Sequence, residues 1–152
     1  MKTIMANYPE CPVDLLKADE NQARITAFFV VLLTGLFLAT GSWWIPGFLS
    51  VDFALRAFQY GKASPLAVTS RSVVSLFRLT PKPTDRGPKV FAARIGLAFS
   101  VAVLVTSVYG LTDVPRFLGA VLLLFAFLES VFGFCAACFL YPYWKSAVRS
   151  FK

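Results

Sequence analysis

Residues 114–138 read VPRFLGAVLLLFAFLESVFGFCAAC, the most hydrophobic stretch of the chain. The stretch is long enough to cross a bilayer, because a spanning helix needs about 20 predominantly apolar residues. It ends in a Cys-x-x-Cys pair, Cys135 and Cys138, and a third cysteine, Cys11, precedes Pro12 near the N-terminus. These features predict a membrane helix that carries two thiols at its end.

Further apolar segments extend this prediction to an all-α integral membrane protein with a four-transmembrane-helix bundle. Residues 26–42 and 90–110 are each long enough for a span. Residues 47–58 are shorter even if the segment begins at Trp43, so we expect a short second helix or a re-entrant segment. Residues 66–79 mix apolar side chains with two arginines. They predict an amphipathic helix at the membrane interface, between helices 2 and 3.

The predicted organisation has three parts. Residues 1–25 form a polar N-terminal tail with a surface helix, residues 26–144 a four-helix membrane domain, and residues 145–152 a basic C-terminal tail. A composition of 57% hydrophobic and 15% charged residues indicates a lipid bilayer as the environment. The segment TPKPTDRGPK at residues 80–89 predicts a loop, because proline interrupts a helix.

The basic residues predict the orientation in the membrane. All lysines and arginines except Arg116 lie in residues 1–25, 56–94 or 145–152. With four crossings these sections share one side, which the excess of positive charge identifies as cytoplasmic. We therefore predict a multi-pass protein of the bacterial cytoplasmic (inner) membrane with both termini in the cytoplasm. Nucleic acid is not a predicted partner, since no basic face is interleaved with free aromatic side chains. The sequence leaves the oligomeric state open, a homo-oligomer included.

The absence of histidine excludes several classes of active site. The chain has no histidine, which removes a Ser-His-Asp triad, a Cys-His pair and histidine-ligated haem or zinc. No glycine-rich phosphate-binding loop is present. The sequence therefore identifies no cofactor and leaves open whether the protein is an enzyme.

The cysteines are the candidate catalytic groups. At i, i+3 on a helix, two thiols can approach bonding distance, as thiol–disulfide exchange requires. In the leading hypothesis Cys135 is the nucleophile, Cys138 resolves the intermediate and Cys11 relays. A soluble thioredoxin-like protein or sulfurtransferase would then exchange disulfides or persulfides with them. A position near a helix C-terminus disfavours thiolate, an effect that Lys145 and Arg94 would offset.

Two alternatives to this thiol chemistry stay open. With Cys11 as a third ligand, Cys135 and Cys138 would form a trigonal Cu(I) or Hg(II) site, and the protein would bind or transport soft-metal ions. Cysteine is also a good small residue for packing helices. In that case the chain is a structural membrane assembly protein whose thiols are inert.

Ionisable residues inside the apolar segments predict a buried network of Asp52, Arg56, Arg94 and Glu129. Asp52 and Arg56 lie at i, i+4 and can pair. Because a lone charge in lipid is costly, we expect Glu129 to be protonated or paired with Arg94 or Arg56. The network serves either to specify the fold or as a proton or substrate site.

Local signals predict where helices turn, pack and begin. On a continuous helix Glu129 and Cys135 would point about 120° apart. A direct acid–thiol pair is therefore not expected unless Gly133 distorts the helix. Small residues such as Gly35 and Gly96 allow helices to approach closely. The dipeptide at residues 64–65, Ser-Pro, predicts a helix start with proline in its first turn.

Several motifs together carry a family resemblance. They are Cys11-Pro12, Asn21, Arg24, Asp52-Phe53 with Arg56, Ser64-Pro65, Lys89, Phe91-Ala92-Ala93, Glu129, and Gly133-Phe134-Cys135 with Cys138. The chain resembles, over residues 11–144, a bacterial family of small membrane proteins known as a domain of unknown function. The resemblance implies a four-helix membrane protein whose cysteines act as a set, without an activity. The layout is also similar to the DoxX-like proteins, four-helix bundles tied to sulfur and thiol metabolism.

Overall fold

The computed structural model describes residues 18–58, 60, 62–80, 83–84, 86–133 and 136–151. The all-helical prediction is confirmed, and the only strands in this part of the chain are two short ones that pair antiparallel. The elements in chain order are β1 (Ala18–Asp19), α1 (Glu20–Thr40), α2 (Trp44–Ala57), α3 (Pro65–Leu76), β2 (Pro83–Thr84), α4 (Arg86–Val108), α5 (Asp113–Phe132) and α6 (Ala136–Ser150).

In the part of the chain that the structure describes, three helices are long and apolar enough to cross a membrane: Glu20–Thr40, Lys89–Val108 and Asp113–Phe132. The predicted second segment is helical, but α2 has 14 residues. At about 1.5 Å per residue it is shorter than the bilayer core, which is about 30 Å thick. Within the described residues three helices thus reach full spanning length, the predicted second helix is short, and a fourth crossing through α2 stays a prediction. Large apolar side chains cover the outside of the bundle; on α1, for example, Phe28, Leu32 and Leu36 are each about half exposed. The protein is thus a helical membrane protein.

Helices α1 and α5 pack against each other in opposite directions. Near one end, a Cβ added to Gly119 of α5 would lie 3.1 Å from the ring of Phe37 in α1. Near the other end, the Arg24 guanidinium of α1 donates a hydrogen bond of 2.7 Å to the carbonyl of Val131. The beginning of α1 therefore lies beside the end of α5.

Helix α4 begins at the same end of the bundle. The Lys89 ammonium in its first turn donates a hydrogen bond of 3.0 Å to the backbone carbonyl of Asp19, which precedes α1. Gly133 lies here too, because a Cβ at this position would be 3.6 Å from Nε of Arg24. We call this the basal end of the bundle, defined by Asp19, Arg24, Lys89 and Gly133.

The core forms where α2 meets α4. A Cβ added to Gly96 of α4 would lie 2.5 Å from Cε1 of Phe53, closer than two carbon atoms can pack. The glycine therefore lets the Phe53 ring lie directly on the α4 backbone. Around this contact lies the buried apolar cluster of Val30, Leu49, Phe53, Ala57, Leu66, Ala93 and Ala126.

The fourth predicted helix, residues 114–138, is wrong in its extent. α5 ends at Phe132, and a separate helix, α6, begins at Ala136. Gly133 stops α5 with a left-handed backbone conformation, φ 64°, and its N–H donates to the carbonyl of Glu129 at 3.0 Å. Glycine adopts this conformation without the steric penalty of a Cβ. The run of apolar residues in the sequence therefore continues past the position at which α5 ends.

Other predicted helix boundaries differ less. Ser64 caps α3 and Pro65 is its first residue, as predicted; that α3 lies at the membrane interface stays a prediction. α1 begins before residue 26, since Asp19 caps it through a hydrogen bond from the Asn21 N–H. α4 begins at Arg86, inside the segment predicted as a loop, because a proline in the first turn of a helix needs no N–H. α6 runs to Ser150 and so includes most of the predicted C-terminal tail.

The Gly96 contact predicts a stability difference between two glycine substitutions. Gly96→Ala should lower the free energy of unfolding in detergent by about 1–3 kcal/mol, because the new methyl group overlaps the buried Phe53 ring. Gly35→Ala, where no atom lies within 4 Å of the added Cβ, should be neutral or slightly stabilising. Equal unfolding temperatures of the two variants would contradict the close packing of α2 on α4.

Candidate functional site

The predicted thiol residues lie mostly outside the described part of the chain. Cys11 and Cys135 are outside it, and Cys138 is described only as a backbone position in α6. For Cys138, the break between α5 and α6 corrects the prediction of a position near a helix C-terminus. Cys138 is the third residue of α6, and Cys135 directly precedes Ala136, its first residue, in the sequence. The roles of the three cysteines stay predictions.

The end of α5 is held by Arg24. Its Nε donates to the carbonyl of Ser130 at 3.4 Å and its Nη2 to that of Val131 at 2.7 Å. The last carbonyls of a helix have no partner within the helix, and a cation there also opposes the negative end of the helix dipole. Glu20 lies close by, with Oε1 3.3 Å from the Cβ position of Gly133. The junction between α5 and α6 is therefore fixed to the first turn and a half of α1.

Helix α6 packs on the beginning of α4. The ring of Phe91 lies 5.8 Å from that of Tyr141 and 6.0 Å from that of Trp144, between ring centroids. The Tyr141 hydroxyl also lies 3.3 Å from the Cβ position of Gly87. Tyr141 and Trp144 of α6 thus both contact α4. These contacts hold the first turns of α6 at the basal end.

A buried carboxylate joins α2 to α3. Asp52 is fully buried, and its Oδ1 accepts hydrogen bonds from the Ser64 hydroxyl at 2.5 Å and from the Leu66 N–H at 3.1 Å. The Ser64 hydroxyl oxygen in turn accepts from the Ala67 N–H at 3.3 Å. The carboxylate therefore sits at the N-terminus of α3, where the helix dipole favours negative charge.

Arg56 supplies the opposite charge for Asp52. Its Nη1 lies 3.8 Å from Asp52 Oδ2, and its guanidinium lies over the ring of Phe53, 5.4 Å from the centroid. Oδ2 accepts no hydrogen bond from the described residues. Asp52 and Arg56 thus attract each other as an ion pair without a hydrogen bond between them, and the Arg56 side chain stays partly exposed.

A second polar contact ties α3 to α1. The hydroxyls of Thr26 and Ser70 are buried and lie 2.7 Å apart. The Ser70 hydroxyl donates to the Leu66 carbonyl at 2.6 Å, and the Gln22 side chain donates to the Ala67 carbonyl at 3.3 Å. Helix α3 is therefore fixed on both sides by polar groups that would be costly to bury unpaired.

A cavity of about 110 Å³ lies among α1, α2, α4 and α5. Most of its wall is apolar, but Arg56, Lys89 and Glu129 also line it, together with Leu140 of α6. Arg94, which the sequence placed in the network, lies on the exposed side of α4. Lys89 lines the cavity instead, because it lies on the same face of α4 as the buried residues four and seven positions later, Ala93 and Gly96. That spacing is visible in the sequence and could have identified it.

The Asp52 contacts predict a graded loss of stability. Asp52→Ala should lower the free energy of unfolding by about 3–5 kcal/mol, because Arg56 loses its carboxylate and two buried donors lose their acceptor. Asp52→Asn keeps an acceptor oxygen and should cost less. Asp113→Ala, at an exposed first-turn position of α5, should cost at most about 1 kcal/mol. Denaturant unfolding in detergent that ranks Asp52→Ala with Asp113→Ala would contradict this role.

Comparison with known proteins places the chain in a family. No curated protein and no solved structure matches it. One family model matches residues 18–146, from the strand before α1 to the middle of α6, and thus most of the chain. The match supplies no activity, and the likeness to the DoxX-like proteins stays a prediction. The chain belongs to the DUF4395 family, a domain of unknown function.

Proposed function

We propose that this protein is a membrane thiol protein of the bacterial inner membrane. In it, Cys135 and Cys138 handle disulfide or persulfide sulfur together with a soluble thioredoxin-like or sulfurtransferase partner. The observation that supports this function most is the start of α6 at Ala136, which makes Cys138 the third residue of a 15-residue helix. A Cys-x-x-Cys pair at a helix N-terminus is an arrangement that favours the reactive thiolate.

The physical reason is the charge at the beginning of a helix. The first N–H groups of a helix have no partner within it and carry partial positive charge, which stabilises a nearby anion. The thiolate, not the thiol, is the nucleophile in disulfide exchange. Because α5 stops before Gly133, Cys138 lies at the start of α6, where the helix dipole favours a thiolate. At the end of a longer α5 the dipole would disfavour the thiolate.

Exchange with a partner disulfide takes two steps. The Cys135 thiolate attacks one sulfur of the partner disulfide, which forms a mixed disulfide and releases the other sulfur as a thiolate that takes up a proton. The Cys138 thiolate then attacks the Cys135 sulfur, which releases the second partner thiolate and leaves a Cys135–Cys138 disulfide. The partner gains the two electrons that the pair loses. With a persulfide, Cys135 takes the outer sulfur and the partner leaves as a thiolate; Cys11 is the candidate relay.

The topology supports a cytoplasmic location for this pair. Both α1 and α4 begin at the basal end, so the chain between them returns there through the short α2 and through α3. The side-chain amide of Asn21 donates to the Thr80 carbonyl at 2.7 Å, which is consistent with that return. We infer four passages in total, with the start of α6 at the basal end. The sections that hold all lysines and arginines except Arg116 then lie at this end, which makes it cytoplasmic.

Substitution of single cysteines tests the exchange. The purified Cys138→Ser variant should accumulate a mixed disulfide through Cys135 when it is incubated with a thioredoxin that keeps only its nucleophilic cysteine, activated as a mixed disulfide with thionitrobenzoate. Thionitrobenzoate leaves as the thiolate, Cys138 is absent, and the partner holds no second thiol that could resolve the adduct. Cys135→Ser should form none, and Cys11→Ser is the control that keeps the pair. Non-reducing electrophoresis and mass spectrometry identify the adduct. If all variants resemble wild type, the proposal fails.

The soft-metal alternative predicts a different result. Stoichiometric Cu(I) binding through all three cysteines, without mixed disulfides, would replace the thiol proposal with a soft-metal site.

The helix break has its own test in the rate of thiol alkylation. Gly133→Ala should slow the reaction of Cys138 with iodoacetamide at neutral pH several-fold, because alanine disfavours φ 64° and extends α5 toward the cysteines. The matched control is Gly110→Ala, at φ 76° in the turn between α4 and α5. It carries the same backbone strain at the opposite end and should leave the alkylation rate unchanged. Equal rates in wild type and Gly133→Ala would show that the break does not activate the thiol.

A further inference from the structure

The cavity among α1, α2, α4 and α5 combines an apolar wall with charged groups. Its volume of about 110 Å³ is larger than a packing gap and suits a small molecule. Val30, Phe53 and Leu122 form part of the apolar wall, and Arg56, Lys89 and Glu129 supply the charges. Ligand sites in proteins typically have this composition, with a few polar groups on a mostly apolar surface.

Among the described residues that line this cavity, Glu129 is the charged group without a direct partner. Within the described residues its carboxylate makes no hydrogen bond and no ion pair, although Arg56 and Lys89 line the same cavity. Arg56 is already paired with Asp52, and the Lys89 ammonium donates to the Asp19 carbonyl. An ionisable residue inside a membrane bundle is costly, and such residues commonly mark a ligand or proton site.

The charges around the cavity restrict which ligand fits. Glu129 offsets Lys89 on the wall, and Asp52, which lies outside the wall, offsets Arg56 as its ion-pair partner, so the four charges sum to zero when all are ionised. A ligand with a net charge would leave that charge uncompensated in a medium of low dielectric constant. An uncharged ligand would leave Glu129 without an ion pair. A zwitterion meets both conditions, because it pairs with separated charges and keeps the total at zero.

We propose that the cavity binds a small α-amino-acid zwitterion that carries a thiol. Its ammonium group lies at the Glu129 carboxylate, and its carboxylate lies at Lys89 beside Arg56. The inference rests on the proposed function for the thiol, since α6, which begins beside the Cys-x-x-Cys pair in the sequence, brings Leu140 to the wall of the same cavity. A molecule held here is next to the first turns of α6. The site would thus select a low-molecular-weight thiol as the substrate class of the Cys-x-x-Cys pair.

Calorimetric titration of the purified full chain in detergent tests the binding site. L-cysteine, kept reduced, should bind at least about tenfold more tightly than cysteamine or 3-mercaptopropionate, each of which lacks one charged group. Glu129→Gln should weaken L-cysteine binding by a similar factor and leave the unfolding temperature unchanged, because the carboxylate makes no bond to the described residues. Arg94→Gln removes a charge from the exposed side of α4 and should bind like wild type.

Three results would overturn the inference: equal binding of L-cysteine and its two analogues, unchanged binding by Glu129→Gln, or no heat up to about 10 mM ligand. A double variant, Cys135→Ser with Cys138→Ser, separates this inference from the proposed function. Selective L-cysteine binding by both wild type and the double variant supports the site. If wild type also forms no mixed disulfide with any partner, the thiol function fails while the zwitterion site stands. Mixed disulfides without selective L-cysteine binding overturn the site alone.

Discussion

The two hydrogen bonds from Arg24 to the carbonyls of Ser130 and Val131 are the interaction on which the basal end depends. The last carbonyls of a helix have no partner within the helix and need one from elsewhere. Arg24 provides those partners, and Gly133 provides the left-handed turn that stops α5. Without Arg24 and Gly133 we expect α5 to continue into the cysteines, because the residues that follow position 133 are apolar. The position of α6, and with it the proposed thiol chemistry, follows from that stop.

The Asp52 carboxylate plays the corresponding role for the short helix. The chain begins α3 at the buried Ser64, where the first N–H groups of the helix need partners. Asp52 accepts from the Ser64 hydroxyl and the Leu66 N–H, while Arg56 offsets its charge. This use of a buried charge leaves Arg56 on the cavity wall, where it meets Lys89 and Glu129. Arg56 therefore belongs both to the ion pair with Asp52 and to the proposed binding site. The ion pair offsets its charge, which explains why a charged cavity is tolerated within an apolar bundle.

The sequence predicted the long helices well, because the length of an apolar run is read directly from the residues. The helix ends were predicted less well. Phe134 and the alanines after Cys135 continue the hydrophobic pattern of α5, and only the single glycine at 133 marks the stop. The role of Arg24 in that stop depends on a contact across more than 100 positions of the chain, which local pattern does not contain. For the same reason the sequence assigns Arg94, and not Lys89, to the buried network: both are basic and lie close together in α4. Which of them faces α5 depends on how the helices pack.

The most direct measurement for the thiol account is labelling with a membrane-impermeant thiol reagent. Intact cells and inverted membrane vesicles are treated with and without prior reduction, and each cysteine is read by mass. The account predicts that Cys135 and Cys138 are labelled only in inverted vesicles, and more strongly after reduction. Labelling only in intact cells would reverse the orientation. Thiols unreactive from either side would contradict a redox-active pair and leave the cysteines with a packing role.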